Sequence, residues 1–440
     1  MNKTTNKIIT RFPPSPTGLL HIGSLRTALF NYFYAKQNGG EMTFRLEDTN
    51  REKWRQEYED NIIQSMDFFF GMKIPKPMRA SERGAIYKKY ILKMIEDGTA
   101  YISKEEPREA GEKSEVIRFR NPNRKVTFSD LILGDIEADT TDLGDFIIAK
   151  DLDHVLYHPQ VVIDDHEVGI THVIRGQDHI SNTARQILIQ EAIGAKRPLY
   201  AHIPLILAPD KTKLSKRHGA TSVSDYLAQG YLPQAIINFL ALLGWNPGDE
   251  REIFSLDGLI REFKLEKVHK NGAVFDIQKL DWMNKEYIRQ LNDAKLLEYV
   301  MRFLPESVTS LPNFSVRQLT NFLPILRDRI SRFVEITDMA LLGELNYFFE
   351  KPALTKSLLK TTDFISHLIS ILEKINDAEF IAEKIKLSIW EFATEKGRGN
   401  VLWPMRVALS GAEKSPDPFT LAELLGKQET IERLKFASKL

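Results

Sequence analysis

Two widely separated segments of the chain carry residue types that handle phosphate groups. The first runs from Pro14 to Ser24 and reads PSPTGLLHIGS. The His21 ring can donate to a phosphate oxygen, and Gly23 lets a planar base stack against the backbone. Both lie where a helix is predicted to begin, and helix N-termini attract anions through their amide donors and dipole. A proline-rich turn with a satisfied surface histidine is the alternative interpretation.

The first segment does not fit the two commonest phosphate-binding loops. Gly18 and Gly23 have the spacing of a P-loop, but Ser24 and Leu25 follow where a P-loop needs Lys and then Ser or Thr. No G-x-G-x-x-G sequence follows a predicted strand either. The sequence therefore disfavours both a P-loop nucleotide site and a dinucleotide site.

The second segment, KLSKR at 213–217, is strongly basic. Lys213, Lys216 and Arg217 are three cations within five residues, preceded by an apolar strand and by Pro209-Asp210. This context predicts a loop at a sheet edge, where cations can stabilise charge that develops on a transferring phosphate. The alternative is a solvated basic turn, which is the usual meaning of such a run on its own.

The elements that must position the first segment are a strand, a helix and a second strand. Residues 7–12 predict a strand and 13–20 a loop. The next helix carries an apolar face and ends at 38–40, and 41–46 predict a second strand. A parallel crossover of this kind places its loop at the carboxyl end of the strand, where α/β sheets bind ligands.

The remaining elements are predicted from apolar runs and helical periodicity. Charge and turn residues between 75 and 145 suggest an insertion within the sheet. Further strands are predicted at 146–149, 159–163, 170–175 and 203–207, and helices at 182–193, 233–244 and 364–375. The pattern is helical from residue 225 onward. We therefore expect an α/β unit followed by an all-α region.

Composition narrows the class of protein. The 440 residues carry 60 Lys and Arg against 60 Asp and Glu, which argues mildly against non-specific coating of nucleic acid. Local basic patches could still contact a tRNA-sized partner. The chain has no cysteine, which excludes disulfides and thiolate zinc sites and suits a reducing compartment. We expect a cytoplasmic protein without a signal peptide or membrane span.

The two segments together resemble the signature pair of class I aminoacyl-tRNA synthetases. The surrounding residues resemble the glutamyl-tRNA synthetase family of bacterial type. The resemblance covers roughly 8–101 and 146–290 and is weaker in the helical remainder. It is carried by RFPPSPTG at 11–18, RLEDT at 45–49, SER at 81–83, VIDDH at 162–166, VIRG at 173–176, KLSKRHGA at 213–220, VFD at 274–276, LDWMN at 280–284, EKG at 395–397 and RVALSG at 406–411.

The resemblance implies roles for individual residues. Arg11 would pair with the side-chain carboxylate of glutamate as a bidentate fork. The rest of the glutamate pocket would be Ser15, Glu47, Tyr157 and Arg175, with Glu47 facing the ammonium. ATP would be held by Thr17, Gly18, His21, Gly23, Lys216 and Arg217. The catalytic residues would be His21, Lys213 and Lys216. The two lysines would neutralise the charge of the phosphates, and Lys216 would contribute most to turnover.

The resemblance also implies the fold, the reaction and the partners. The expected fold is a Rossmann-like α/β catalytic domain followed by an all-α anticodon-binding region. Glutamate would be activated by ATP with Mg²⁺ as glutamyl-adenylate, after tRNA(Glu) is bound, and then transferred to the 2′-OH of the terminal adenosine of the tRNA. A monomer is expected. The implied domains are 1–74 (catalytic, first half), 75–145 (acceptor-end insertion), 146–225 (catalytic, second half), 226–300 (stem contact) and 301–440 (anticodon binding).

Several positions leave alternatives open. Arg11 and Arg175 could be structural ion-pair partners, and Glu47-Asp48 could be a helix N-cap. Five histidines crowd one region, but the resemblance implies no transition metal and we expect no protein-bound zinc. They are His154, His158, His166, His172 and His179. Gln177 stands where the family usually has an acidic residue. The insertion at 75–145 is short and, without cysteine, has no thiolate zinc site of the kind that many family members carry there.

Three other functions are alternatives to this one. A glutaminyl-tRNA synthetase shares the scaffold, but Arg11 favours a carboxylate over a neutral amide. An enzyme that glutamylates a modified tRNA base would lack the helical region after residue 300. A non-catalytic tRNA-binding module would not need His21, Gly23 and the 213–217 segment. The reading of the third anticodon base would decide whether tRNA(Gln) is charged with glutamate as well.

Overall fold

The computed structural model describes residues 7–105, 115–219 and 221–440, apart from the side chain of Lys216, and the chain forms two compact units. The first contains Met1–Ala228 and Leu232–Met283, and the second contains Gln229–Tyr231 and Asn284–Leu440. The five predicted domains divide the chain more finely than this, and those finer divisions stay a prediction.

The first unit is mixed α/β. Its strands are β1 (Ile9–Phe12), β2 (Glu41–Leu46), β3 (Met78–Arg79), β4 (Ala100–Lys104), β5 (Glu115–Phe119), β6 (Lys125–Asp130), β7 (Gly134–Asp139), β8 (Phe146–Asp151), β9 (His154–Val155), β10 (His172–Gly176), β11 (Leu199–Ile203), β12 (Ile206–Leu207) and β13 (Ala273–Val274). Its helices are α1 (Ile22–Gln37), α2 (Gln56–Phe70), α3 (Gly84–Glu96), α4 (Tyr157–Val168), α5 (Ile180–Ala192), α6 (Val223–Ala228), α7 (Pro233–Leu242) and α8 (Leu256–Glu262). The predicted strand–loop–helix–strand at the N-terminus is confirmed by β1, α1 and β2.

The parallel strands that position the functional residues run in the order β3-β2-β1 and β10-β11. The Thr171 N–H donates to the Ile9 carbonyl at 3.0 Å, so β1 lies next to β10. The strand order therefore reverses between β1 and β10. In doubly wound sheets, ligands bind in the crevice that opens at this reversal, beyond the carboxyl ends of the strands.

The predicted insertion contributes to this sheet. Strand β6 pairs in parallel with β11 at Asp130 and Tyr200, and β7 pairs antiparallel with β6. A separate antiparallel sheet has the order β4-β5-β8-β9. Alternate residues of β6 are buried, which is the period of a half-buried strand. Its polar residues made the segment read as irregular in the sequence.

The strand predicted at 159–163 is wrong, because these residues lie in helix α4. The apolar, β-branched run favours a strand locally. However, Pro159 sits in the first helical turn, where its missing N–H costs nothing, and Gly169 closes the helix in the left-handed region at φ 75°. Nearly every residue from Pro159 to Asp165 is buried, so the sequence lacks the alternation of polar and apolar residues that would distinguish a helix from a strand.

The strand predicted at 203–207 is displaced. The structure has β11 from Leu199 to Ile203 and β12 from Ile206 to Leu207, with Pro204 between them. Proline cannot donate to a sheet ladder, so the two strands are separate. Strand β12 pairs with β13 and leads into the basic 213–217 segment.

The second unit is helical among its described residues. Helix α9 (Ile277–Gln290) contains the boundary between the units. The helices that follow are α10 (Asp293–Phe303), α11 (Glu306–Thr309), α12 (Val316–Arg329), α13 (Val334–Leu341), α14 (Lys356–Leu359), α15 (Ile365–Glu373), α16 (Ala382–Lys396), α17 (Arg398–Ser410), α18 (Pro418–Leu425) and α19 (Lys427–Ala437). Leu368 and Leu372 of the predicted apolar stripe are fully buried. Nowhere in the described chain is there a helix of the length and apolarity needed to cross a membrane.

Candidate active site

A cleft of about 710 Å³ opens at the carboxyl ends of β1 and β10. Eight of the predicted site residues line it, and they come from seven different elements or loops. They are Arg11, Ser15, His21, Gly23, Glu47, Tyr157, Arg175 and Lys213. The sheet therefore brings both predicted segments and the predicted glutamate pocket to one place.

Of the other predicted residues, Thr17, Gly18 and Arg217 do not line the cleft. Thr17 donates its backbone N–H to Ser15 in the loop before α1, and a side-chain carbon added at Gly18 would meet nothing within 4 Å. Arg217 donates to Thr212 Oγ1 and His218 Nε2, each at 3.2 Å, within its own loop. The side chain of Lys216 lies outside the described residues.

His21 is the N-cap of helix α1. Its Nδ1 accepts the Gly23 N–H at 3.0 Å, so a neutral ring carries its proton on Nε2. The imidazole is thereby presented as a donor beside the N-terminus of a 16-residue helix. This is a satisfied histidine, as in the alternative interpretation, but one whose second nitrogen suits a phosphate oxygen.

Arg11 leaves the end of β1 and is held by a buried acid. Its Nε donates to Asp165 Oδ2 at 3.2 Å, and Nη1 lies 3.4 Å from the Ile174 carbonyl. Asp165 also accepts from Arg45 Nη1 at 3.0 Å. Although burial opposes ionisation of Asp165, the Arg11 and Arg45 guanidinium groups bring its pKa below the usual value. Arg11 is therefore an ion-pair partner and a cleft residue at the same time.

Glu47 follows β2 and sits at the cleft wall. Its backbone carbonyl accepts from Ser15 Oγ at 2.9 Å, and its carboxylate lies 3.3 Å from Arg45 Nη2. Burial raises the pKa of Glu47, and the Arg45 and Arg11 charges oppose that rise. A cationic ligand group would favour the ionised carboxylate, as expected for a contact with an ammonium.

The N-cap alternative for Glu47 and Asp48 is wrong, because helix α2 begins at Gln56 and its N-cap is Arg55. Asp48 instead accepts from the Ser81 N–H at 2.9 Å and the Ser81 hydroxyl at 2.6 Å.

Arg175, at the end of β10, has a different set of partners. Its guanidinium donates to three uncharged side chains: His202 at 3.2 Å, Gln186 at 2.7 Å and Thr183 at 2.6 Å. Burial is the main cause that lowers the pKa of Arg175, followed by the charge of Arg11. Two buried guanidinium groups therefore face the same cleft, which favours a negatively charged ligand between them.

Lys213 lines the same cleft with a largely exposed side chain. Its Nζ forms an ion pair with Asp178 Oδ2 at 2.8 Å, with the two side chains 61% and 43% exposed. An exposed pair of this kind contributes little to stability, so this cation is readily redirected to a ligand.

The five histidines do not converge. His154 contacts Asp151, His172 contacts Tyr34, and His179 contacts Asn182. Within the ranges that the structure describes, no group of three or more metal-ligating side chains occurs.

The sequence prediction missed the residues that hold the site together. They are Arg45, Asp165 and Asp178, together with the buried pair Asp130 and His202. The one available signal was the charged Asp164-Asp165 pair inside an apolar run, since charges in such a run need partners.

Comparison with protein families gives two matches. The family model of class I tRNA synthetases (E and Q), catalytic domain, matches residues 7–112 and 103–282. The model of an anticodon binding domain matches residues 295–438.

Individual proteins match over almost the whole chain. A glutamate–tRNA ligase of Carboxydothermus hydrogenoformans is 38% identical, over 96% of this chain and 98% of that protein. Glutamate–tRNA ligase 2 of Thermoanaerobacter pseudethanolicus is 36% identical over 98% of each. A crystal structure of a glutamate tRNA ligase from Elizabethkingia meningosepticum, in complex with its amino acid, superposes with a TM-score of 0.86, 32% identity and 99% coverage of both chains.

Proposed function

This chain belongs to the glutamate–tRNA ligase family of class I tRNA synthetases, and from that membership we propose how its cleft ligates glutamate to tRNA. The observation that carries the proposal is the composition of the cleft wall. One cleft is lined both by two buried guanidinium groups, Arg11 and Arg175, and by the phosphate-handling candidates His21 and Lys213.

The amino acid binds against the two guanidinium groups. Arg11 binds the side-chain carboxylate of glutamate, and Glu47 faces the ammonium. Ser15, Tyr157 and Arg175 complete the pocket. A neutral glutamine side chain would bring no negative charge to the terminal nitrogens of Arg11, whose Nε already pairs with Asp165, so we assign glutamate as the substrate.

ATP binds at the N-terminus of α1. His21 donates from Nε2 to a phosphate oxygen, and Gly23 leaves room for the adenine against the backbone. Thr17, Gly18, Lys216 and Arg217 belong to the same ATP assignment, which for these four rests on the family resemblance. Mg²⁺ is bound through the ATP phosphates, because phosphates and water are its usual ligands.

The reaction proceeds in two steps. A carboxylate oxygen of the α-carboxyl group of glutamate attacks the α-phosphorus of ATP, and pyrophosphate leaves with the electron pair of the broken P–O bond. The 2′-OH of the terminal adenosine of the tRNA then attacks the carbonyl carbon of the adenylate, loses its proton, and AMP leaves. Lys213 and Lys216 neutralise the phosphate charge in the first step, so catalysis is mainly positioning and electrostatic stabilisation.

Isotope exchange between ATP and pyrophosphate tests this proposal. We expect exchange with glutamate only when tRNA(Glu) is present, and none with glutamine. Exchange with glutamine would indicate a glutaminyl-tRNA synthetase instead. No exchange under any condition would indicate a tRNA-binding module without catalytic activity. Charging assays with purified tRNA(Glu) and tRNA(Gln) then decide whether the second tRNA is also a substrate.

Replacement of Lys213 by alanine tests its assignment as a group that neutralises phosphate charge. We expect kcat to fall roughly a hundredfold, as for the loss of one preorganised group that stabilises transition-state charge, with a smaller change in the KM for ATP. The exposed Lys213–Asp178 ion pair predicts little change in the unfolding temperature. Lys211→Ala in the same loop is the control, since Lys211 does not line the cleft. An increase in KM for ATP without loss of kcat would contradict the role.

A further inference from the structure

A buried chain of hydrogen bonds leads from Arg175 away from the cleft. Arg175 Nε donates to His202 Nε2 at 3.2 Å, and the other ring nitrogen of His202 lies 2.7 Å from Asp130 Oδ2. The side chains of His202 and Asp130 are both 0% exposed. Solvent therefore does not substitute for either contact.

The partners fix the protonation state of His202. A guanidinium has only donors, so Nε2 of His202 must present its lone pair to Arg175. The ring proton is then on Nδ1, where it is donated to Asp130. Burial, the largest cause, lowers the pKa of His202, which favours this neutral form.

Asp130 is itself strongly held. Its Oδ1 accepts hydrogen bonds from the backbone N–H groups of Ile132 and Leu133 at 2.9 and 2.8 Å. Its Oδ2 accepts one from the backbone N–H of His202 at 3.0 Å, in addition to the bond from the imidazole ring. Three backbone donors and an imidazole favour the carboxylate. A fixed anion thus keeps the imidazole proton on Nδ1, as buried carboxylates do for functional histidines elsewhere.

The ring stacking around Arg175 agrees with a positioning role. The Arg175 guanidinium lies 5.6 Å from the centre of the Tyr200 ring. The Tyr200 and His202 rings are nearly parallel, at 10° and 6.1 Å. With Gln186 and Thr183 as further acceptors, the guanidinium plane is held in a single orientation.

We propose that Asp130 and His202 are positioning residues that orient the Arg175 guanidinium for the amino acid. This inference rests on the proposed function, because it takes Arg175 as part of the glutamate pocket. Asp130 belongs to β6, in the segment predicted as an acceptor-end insertion, and it pairs with Tyr200 at the single register point that joins β6 to β11. The insertion thus supplies a supporting residue to the amino-acid pocket.

The test compares the glutamate KM and the ATP KM in the exchange reaction with saturating tRNA(Glu). His202→Gln keeps an acceptor near the position of Nε2, for Arg175, whereas His202→Asn keeps a donor near Nδ1, for Asp130. We expect His202→Asn to raise the glutamate KM roughly tenfold and His202→Gln to raise it less, with the ATP KM within about twofold of the wild type in both. If the contact between His202 and Asp130 served only the stability of the fold, His202→Gln would raise the glutamate KM more than His202→Asn.

Two further variants keep the test decisive. Asp130→Asn is nearly isosteric, but its amide favours the other tautomer of His202, which aims an N–H at Arg175. We expect it to raise the glutamate KM even if the His202 variants fail to fold. His172→Ala is the control, because His172 is a buried histidine on the adjacent strand β10 whose ring contacts Tyr34 and Thr171.

The outcomes separate this inference from the proposed function. A folded Asp130→Asn enzyme with the wild-type glutamate KM would overturn the positioning role, as would an equal rise in both KM values. So would an effect of His172→Ala as large as that of His202→Asn. If the wild type shows no glutamate-dependent exchange, the proposed function itself is wrong.

Discussion

Replacing Arg11 with alanine is expected to raise the KM for glutamate roughly a hundredfold, corresponding to about 3 kcal/mol of lost binding. The reason is that Arg11 lies at the cleft wall and supplies a fixed guanidinium fork. Asp165 accepts a hydrogen bond from Nε of Arg11, and this contact fixes the orientation of the two terminal nitrogens of the guanidinium group. The measurement is glutamate-dependent ATP–pyrophosphate exchange at saturating ATP and tRNA(Glu).

The matched variant for this prediction is Arg11→Lys. It keeps one positive charge near Asp165 but loses the planar fork, so we expect it to fold stably and still bind glutamate poorly. Urea unfolding of both variants separates the binding role from the ion-pair role. If Arg11→Ala lowers stability while the glutamate KM stays near the wild-type value, Arg11 is a structural residue only.

Replacing Asp165 with alanine should destabilise the first unit by about 3 to 5 kcal/mol. Asp165 accepts from Arg11 and from Arg45, and both guanidinium groups are buried. Removal of the carboxylate leaves Arg45 with Glu47 at 3.3 Å and Asp164 at 3.5 Å, whereas Arg11 loses the one ion pair within 4 Å that it forms among the described residues. The free energy of unfolding by urea, followed by a probe in the first unit, measures the loss.

The control for Asp165 is Asp178→Ala. Asp178 also pairs with a cation that lines the cleft, but this pair is largely exposed, so the expected loss is below about 1 kcal/mol. Similar losses for the two variants would show that burial of the Asp165 pair is not what makes it important.

The Asp165 pair also predicts the direction of the pH dependence. The pKa of Asp165 is lowered in the folded state, so its stabilising contribution is present above the pKa of the unfolded chain. That contribution is lost as the pH falls through the folded-state value. Acid unfolding should therefore begin at a higher pH in a variant that lacks Arg45.

Local patterns in the sequence were sufficient for some elements and not for others. The β1–α1–β2 unit was predicted because turn residues, apolar periodicity and a closing glycine all agree over a short stretch. Helix α4 was taken for a strand because its burial on almost all sides removes the periodicity that distinguishes the two. Strand β6 was not recognised because its polar residues conceal the alternation of a half-buried strand.

By itself, the sequence was sufficient to predict which residues would handle phosphate, since the identities of His21, Gly23 and Lys213 and of their neighbours are local properties. It also determined the succession of an α/β and a helical region. Only the tertiary structure decided the partners: Arg11 meets Asp165 across 154 residues, and His202 meets Asp130 across 72. Such pairings follow from sheet order and from the need of each buried charge for a counter-charge, and neither is encoded in short-range periodicity.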